Sequence, residues 1–123
     1  MDLSKYRITQ AKGNHLKDHE TDDAAGLRKG KEADALLAAN IERLRERQEV
    51  LFAHNKYGVL LILQAMDAAG KDGVIKHVMS GLNPQGVQVK SFKVPTADEI
   101  DHDYLWRAQA HLPARGNIAI FNR

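Results

Sequence analysis

Cysteine is absent from all 123 residues, which removes disulfides, thiolate nucleophiles and zinc–thiolate sites together. Apolar runs are short as well, and none approaches the ~20 residues that cross a bilayer. The opening Met1-Asp2-Leu3-Ser4-Lys5-Tyr6-Arg7 lacks the apolar stretch of a secretion signal. A cytoplasmic protein with no membrane partner is expected. An excess of one charge is also missing. Lys and Arg number 18 against 16 Asp and Glu, a net +2, so a polyanion has to be gripped by locally placed cations rather than by a global field. No nucleic-acid partner is expected. The length suits one domain, able to bury roughly two-thirds of its unfolded surface.

Residues 1–30 are polar, carry Gly13, Gly26, Gly30 and the acidic run Glu20-Thr21-Asp22-Asp23, and read as an extended arm. From Lys31 to His54 the pattern turns helical, with Leu37, Ile41, Leu44, Gln48 and Leu51 at four-then-three spacing and charges on the opposite face. Asn55-Lys56-Tyr57-Gly58 breaks it. The run 59–64 is apolar without alternation and reads as a strand buried on both faces. A short helix is expected over 71–82, a turn at Asn83-Pro84-Gln85-Gly86 and an alternating strand over 87–92. Thr96 with Glu99 reads as a capping box that opens a helix over about 98–111. After the Pro113–Gly116 turn, Asn117–Phe121 is a third strand. Strands alternating with helices across short links predict an α/β fold with a parallel sheet and right-handed crossovers.

The most informative stretch is Val59–Leu63 followed by Gln64-Ala65-Met66-Asp67-Ala68-Ala69-Gly70-Lys71-Asp72-Gly73. A strand enters a small-residue turn and leaves through Gly-Lys into a helix, which is the context of a phosphate-binding P-loop. Small residues let backbone N–H groups converge on an anion. The helix N-terminus adds partial positive charge, and Lys71 adds a full one where a β- or γ-phosphate would sit. Against G-x-x-x-x-G-K-[ST] there are two departures: Ala65 at the first glycine, and Asp72 at the hydroxyl position. Two readings stand for each carboxylate in the loop. Asp67 either serves Mg²⁺ or an attacking group, or braces the turn. Asp72 either reaches Mg²⁺, directly or through water, or simply favours the helix N-terminus.

Leu63–Val78 resembles the Walker A region of the polyphosphate kinase 2 family. So do Leu82–Val87, Phe92-Lys93-Val94-Pro95-Thr96, Tyr104-Leu105-Trp106-Arg107 and Ile120-Phe121-Asn122-Arg123. In that family alanine or glycine opens the loop and aspartate replaces Ser/Thr, so both departures become matches. The resemblance spans almost the whole chain but about the first half of the family's domain. Members continue past Asn-Arg into further strands, lid helices and arginines. It implies a P-loop NTPase-like three-layer fold, incomplete at the C-terminus, with 31–123 as the N-terminal part of the kinase-like domain.

The activity implied is Mg²⁺-dependent phosphoryl transfer between inorganic polyphosphate and AMP or ADP. By the resemblance, Lys71 and the backbone of 67–73, including Ala68, Ala69, Gly70, Asp72 and Gly73, cradle phosphate. Asp67 holds metal or orients the acceptor. Asn122 and Arg123 match the Walker B end, where Asn122 is a weak metal or water ligand beside Asp67 and Asp72. Arg123 suits a phosphate, or else is a loose terminal cation. Lys76, Lys93 and Arg107 are further candidates for polyanion contact, each also readable as a solvated charge. The competing readings are a non-catalytic phosphate-binding fragment and a self-association module. Homo-oligomers are expected, because a sheet missing its other half leaves a strand edge bare.

Overall fold

The computed structural model describes residues 4–10 and 12–123, and the chain divides into two units, 1–36 and 37–123. In the first, single 3₁₀ turns form at Ser4–Tyr6 and Leu16–Asp18. Asp23 Oδ1 accepts the N–H of Ala25 at 2.8 Å, and this local turn holds Ala25 at a φ of 55°. No helix among the described residues is long and apolar enough to cross a membrane.

The second unit is built on three parallel strands, β1 (Val59–Leu63), β2 (Val87–Ser91) and β3 (Ile118–Asn122), in the spatial order β1-β3-β2. Val59 and Val87 both stand opposite Ile118. The last strand is therefore the middle one, and it alone is buried nearly throughout. Helix α1 (Lys31–His54) keeps the bounds its stripe predicts, and α2 (Lys71–Met79) follows β1. Leu44 and Leu51 of α1 with Ile75 and Met79 of α2 close over Ile118 and Ile120, which make the core with Leu82. Alternation sends Phe121 to the other face, where it meets Phe92 edge-on at 4.9 Å. Short helices α3 (Ala97–Asp101) and α4 (Trp106–Gln109) lie on that side, since Ile100 and Arg107 share a cavity wall with Phe121. Helices, sheet and helices stack as the α/β reading requires.

One buried polar residue ties α1 to the sheet. Gln48, 3% exposed, accepts the N–H of Asn83 at 2.8 Å and donates to its carbonyl at 2.9 Å. The amide thus satisfies both backbone groups of the turn that feeds β2.

Three expectations change. β1 is exposed along most of its length rather than buried on both faces, because the sheet order puts it at an edge. Helix α2 ends at Met79, three residues early, and Leu82 enters the core from a turn. Residues 98–111 do not form one helix. The Thr96–Glu99 capping box opens α3 as read, but His102 is extended and Asp103 Oδ1 captures the N–H of Leu105 at 3.0 Å, so the chain must restart as α4.

Candidate phosphate site

Ligands of open parallel sheets sit beyond the carboxyl ends of the strands, and three such ends meet here. From β1 the chain enters the loop 65–70. Ala69 N–H closes a turn onto the Met66 carbonyl at 3.3 Å. Ala68 takes a φ of 62° and Gly70 one of 88°. Glycine adopts that conformation freely; for alanine it is a local strain of about 1–2 kcal/mol. Gly70 is the N-cap of α2 and offers no side chain to its first turn. The N–H groups that open α2 are thus left for another acceptor.

Lys71 folds back over this loop. Its Nζ donates to the carbonyls of Ala65 at 2.7 Å and Met66 at 3.0 Å, which sets the ammonium directly against the turn. Asn122, at the end of β3, donates through Nδ2 to Asp72 Oδ1 at 2.7 Å, while its own Oδ1 is buried with no partner. Mg²⁺ takes one or two carboxylates, neutral oxygens and water. An unsatisfied carbonyl oxygen beside Asp72, with Asp67 across the loop, is a donor set that fits such an ion. Among the described residues no cluster of three His, Asp or Glu does so.

A cavity of about 430 Å³ is walled by Asp67–Gly73, Ser91, Phe92, Lys93, Asn122 and Arg123. A second, of about 660 Å³, lies against Ile62, Phe92, Phe121, Ile100, Tyr104 and Leu105, with polar atoms from Gln64, Glu99 and His102. Phe92, Lys93 and Arg123 line both. The first thus gathers Asp67, Ala68, Ala69, Gly70, Lys71, Asp72, Gly73, Lys93, Asn122 and Arg123 along one wall. Lys76 is exposed on α2 and lines neither. Arg107 lines the second cavity only. Its guanidinium pairs with Glu99 at 3.4 Å, donates to the Lys93 carbonyl at 2.9 Å and lies 5.1 Å from the Phe92 ring centre. Ser91, Phe92 and Phe121 were not singled out beforehand. Their signal was position, since each stands at the carboxyl end of a strand.

A family model described as Polyphosphate kinase 2 (PPK2) matches residues 27–123. The chain belongs to the polyphosphate kinase 2 family. It is 61% identical over 88 residues to an ADP-polyphosphate phosphotransferase of Rhodopseudomonas palustris, covering 72% of this chain and 30% of that protein. It is 46% identical over 123 residues to an AMP/ADP-polyphosphate phosphotransferase of Meiothermus ruber, covering 98% of this chain and 46% of that protein. The crystal structure of Polyphosphate Kinase 2 from Arthrobacter aurescens TC1 superposes with a TM-score of 0.83 at 45% identity, over 93% of this chain and 43% of that one. The chain spans less than half the length of these relatives.

Proposed function

We propose that this chain carries the phosphate-gripping part of a phosphotransferase that moves a phosphoryl group between inorganic polyphosphate and AMP or ADP in the cytoplasm. The observation that carries this reading is the shared wall of the two cavities. A polar cradle built from a helix N-terminus and a lysine adjoins an apolar chamber, and the cations Lys93 and Arg123 stand at the seam. A polyanion suits the first and a nucleoside the second, so the phosphates of both meet at the seam. The activities of the Rhodopseudomonas palustris and Meiothermus ruber relatives support that pair of substrates.

In this reading the N–H groups around Ala68, Ala69, Gly70 and Gly73 bind the phosphate from which the group leaves. Lys71 releases the Ala65 and Met66 carbonyls and turns to the phosphate oxygens. A P–O bond of polyphosphate breaks as an oxygen of the nucleotide's terminal phosphate forms the new one, in line. The requirement is alignment and neutralised charge more than covalent help. Lys71 and Arg123 neutralise the transferring group, and Asp67 orients the acceptor phosphate. Lys93 holds the polyanion across the seam. Lys76, on the next turn of α2, and Arg107, at the far wall, extend the grip outward. Asp67, Asp72 and Asn122 would hold Mg²⁺, which when bound shields phosphate charge. Self-association belongs to the same reading, because β1, which runs directly into the loop, pairs on one side only among the described residues.

The test is nucleotide conversion by the purified chain with polyphosphate, Mg²⁺ and AMP or ADP, with Lys71→Ala alongside. ADP or ATP that appears only with Lys71 in place supports transfer. No conversion, with tripolyphosphate binding retained, reduces the role to the cradle alone.

A further inference from the structure

Among the described residues, the segment after β2 makes its last backbone bond to the sheet where the Phe92 N–H donates to the Asn122 carbonyl at 2.9 Å. Lys93 follows, already off the ladder, at the seam of the two cavities. Its backbone is held from elsewhere in the chain, because Arg107 Nη2 donates to the Lys93 carbonyl at 2.9 Å. The guanidinium is itself fixed. Its Nε stands 3.4 Å from Glu99 Oε1, and the two side chains are only 16% and 17% exposed. Its central carbon lies over the Phe92 ring, 5.1 Å from the centre. Glu99 is anchored in turn, since its Oε2 accepts the Thr96 N–H at 2.9 Å as one half of the capping box of α3. Phe92 rests edge-on against Phe121 of β3. Contacts thus run unbroken from the start of α3, through Glu99 and Arg107, to the Lys93 carbonyl, and every member lies within residues 92–121.

We propose, resting on the reading of the cradle as a polyphosphate site, that Arg107 is a positioning residue: held by Glu99 and Phe92, it roots the backbone of Lys93 and so directs that lysine to the polyanion, without a phosphate contact of its own. A lysine ammonium is a point charge on a flexible four-carbon stem. Where it reaches is set by where its backbone is rooted. A wandering root adds its own disorder to the cost of binding, and a fixed root removes that cost beforehand. Arg107 is poorly placed to grip phosphate directly. Leaving Glu99 would strand a carboxylate in a site largely shut from water, and an unpaired charge there is more costly than a lost surface pair. Lys71 differs, because the partners it would leave are the neutral carbonyls of Ala65 and Met66. The planar fork matters as well. It sets its face on a ring, its Nε beside a carboxylate and its Nη2 on a carbonyl, and a lysine ammonium cannot serve all three at once. The grip that Arg107 lends outward is therefore exerted through Lys93.

Calorimetric titration of the purified chain with tripolyphosphate tests this. Lys93→Ala should weaken binding about tenfold, as loss of one charged contact does. Arg107→Lys keeps the charge but loses the fork, and a loss of about fivefold is expected. In the Lys93→Ala background the same change should weaken binding by no more than about twofold further, because both changes remove one shared contact. Glu99→Gln separates the two roles by sign. It removes a negative charge beside an anion site and frees Arg107, so a direct phosphate contact from Arg107 predicts tighter binding. Positioning predicts weaker binding, since the single amide oxygen cannot serve both Thr96 and Arg107. Nitrogen relaxation of the backbone amides supplies a reading without ligand. Order parameters at Lys93 and Val94 should fall in Arg107→Lys and in Glu99→Gln, with those of β3 unchanged. Lys93 and Val94 equally rigid in both variants would overturn the proposal. So would losses that multiply in the double variant, or tighter binding by Glu99→Gln. Equal binding by the parent and Lys71→Ala chains is a different result: it removes the cradle reading, and the role of Lys93 with it.

Discussion

Asn122 donates its side-chain amide to Asp72 across 50 positions of sequence, at 2.7 Å, and so fastens the end of β3 to the first turn of α2. The bond fixes where the phosphate loop ends relative to the sheet. Asn122→Asp would replace the donor by a second carboxylate beside the first. Because Asp72 is exposed, the expected cost is moderate, about 1–2 kcal/mol. Millimolar Mg²⁺ should recover part of it by bridging the two carboxylates. Urea unfolding with and without Mg²⁺ reads this directly. An equal loss in both conditions would count against a metal at this corner.

Lys71 is bonded to its own loop, at the surface. Lys71→Ala should leave the unfolding free energy within about 0.5 kcal/mol of the parent, as exposed sites do. Loss of a charged phosphate contact should weaken tripolyphosphate binding at least tenfold, given the ~1.5–3 kcal/mol of such bonds. Calorimetric titration separates the two effects.

A side chain at Gly81 would collide with Ile41 of α1. Gly81→Ala should therefore destabilise by about 1–3 kcal/mol, as overpacking does. Ile41→Val in the same chain should return part of that loss, because contacting sites couple. Denaturant midpoints of the two single variants and the double variant supply the cycle.

Gln48→Leu keeps the volume but leaves the Asn83 N–H without a partner, while the Asn83 carbonyl keeps the Gly86 N–H at 3.1 Å. One unsatisfied group costs about 1–3 kcal/mol, and that is the loss expected. Hydrogen exchange should quicken at Asn83 and in the turn leading into β2. A change confined to α1 would mean that the amide does not serve that turn.

Several of these features were legible in the sequence, each for a local reason. The stripe from Leu37 to Leu51 fixed α1, since four-then-three spacing admits no other element. Thr96 and Glu99 announced a helix start through chemistry three residues apart. Lys71 and Gly70 marked the loop because strand and helix on either side were independently readable. The misread features depend on residues far away. Non-alternation in β1 signals burial on both faces, but whether that burial is realised depends on a neighbouring strand. The spacing places Gln48 in the inward stripe, but only the approach of Asn83, 35 positions on, gives its amide a purpose. The break after α3 was local yet hidden. Asp103 competes with the helix by capturing a backbone N–H, and periodicity does not weigh that competition.

The position of β3 between β1 and β2 bears on how the chain acquires its shape during synthesis. Neither β1 nor β2 pairs with the other, and among the described residues both find their ladder partner in 118–122. While a ribosome makes the chain, α1 and α2 can form from local bonds, but the rungs that join β1 and β2 to β3 wait for residues 118–122 to emerge. Closing contacts between residues 59 and 118 is entropically slow compared with local pairing. Until β3 emerges, the apolar run of β1 has no partner among the described strands on either side, which makes it a natural substrate for chaperones that shield unpaired strands.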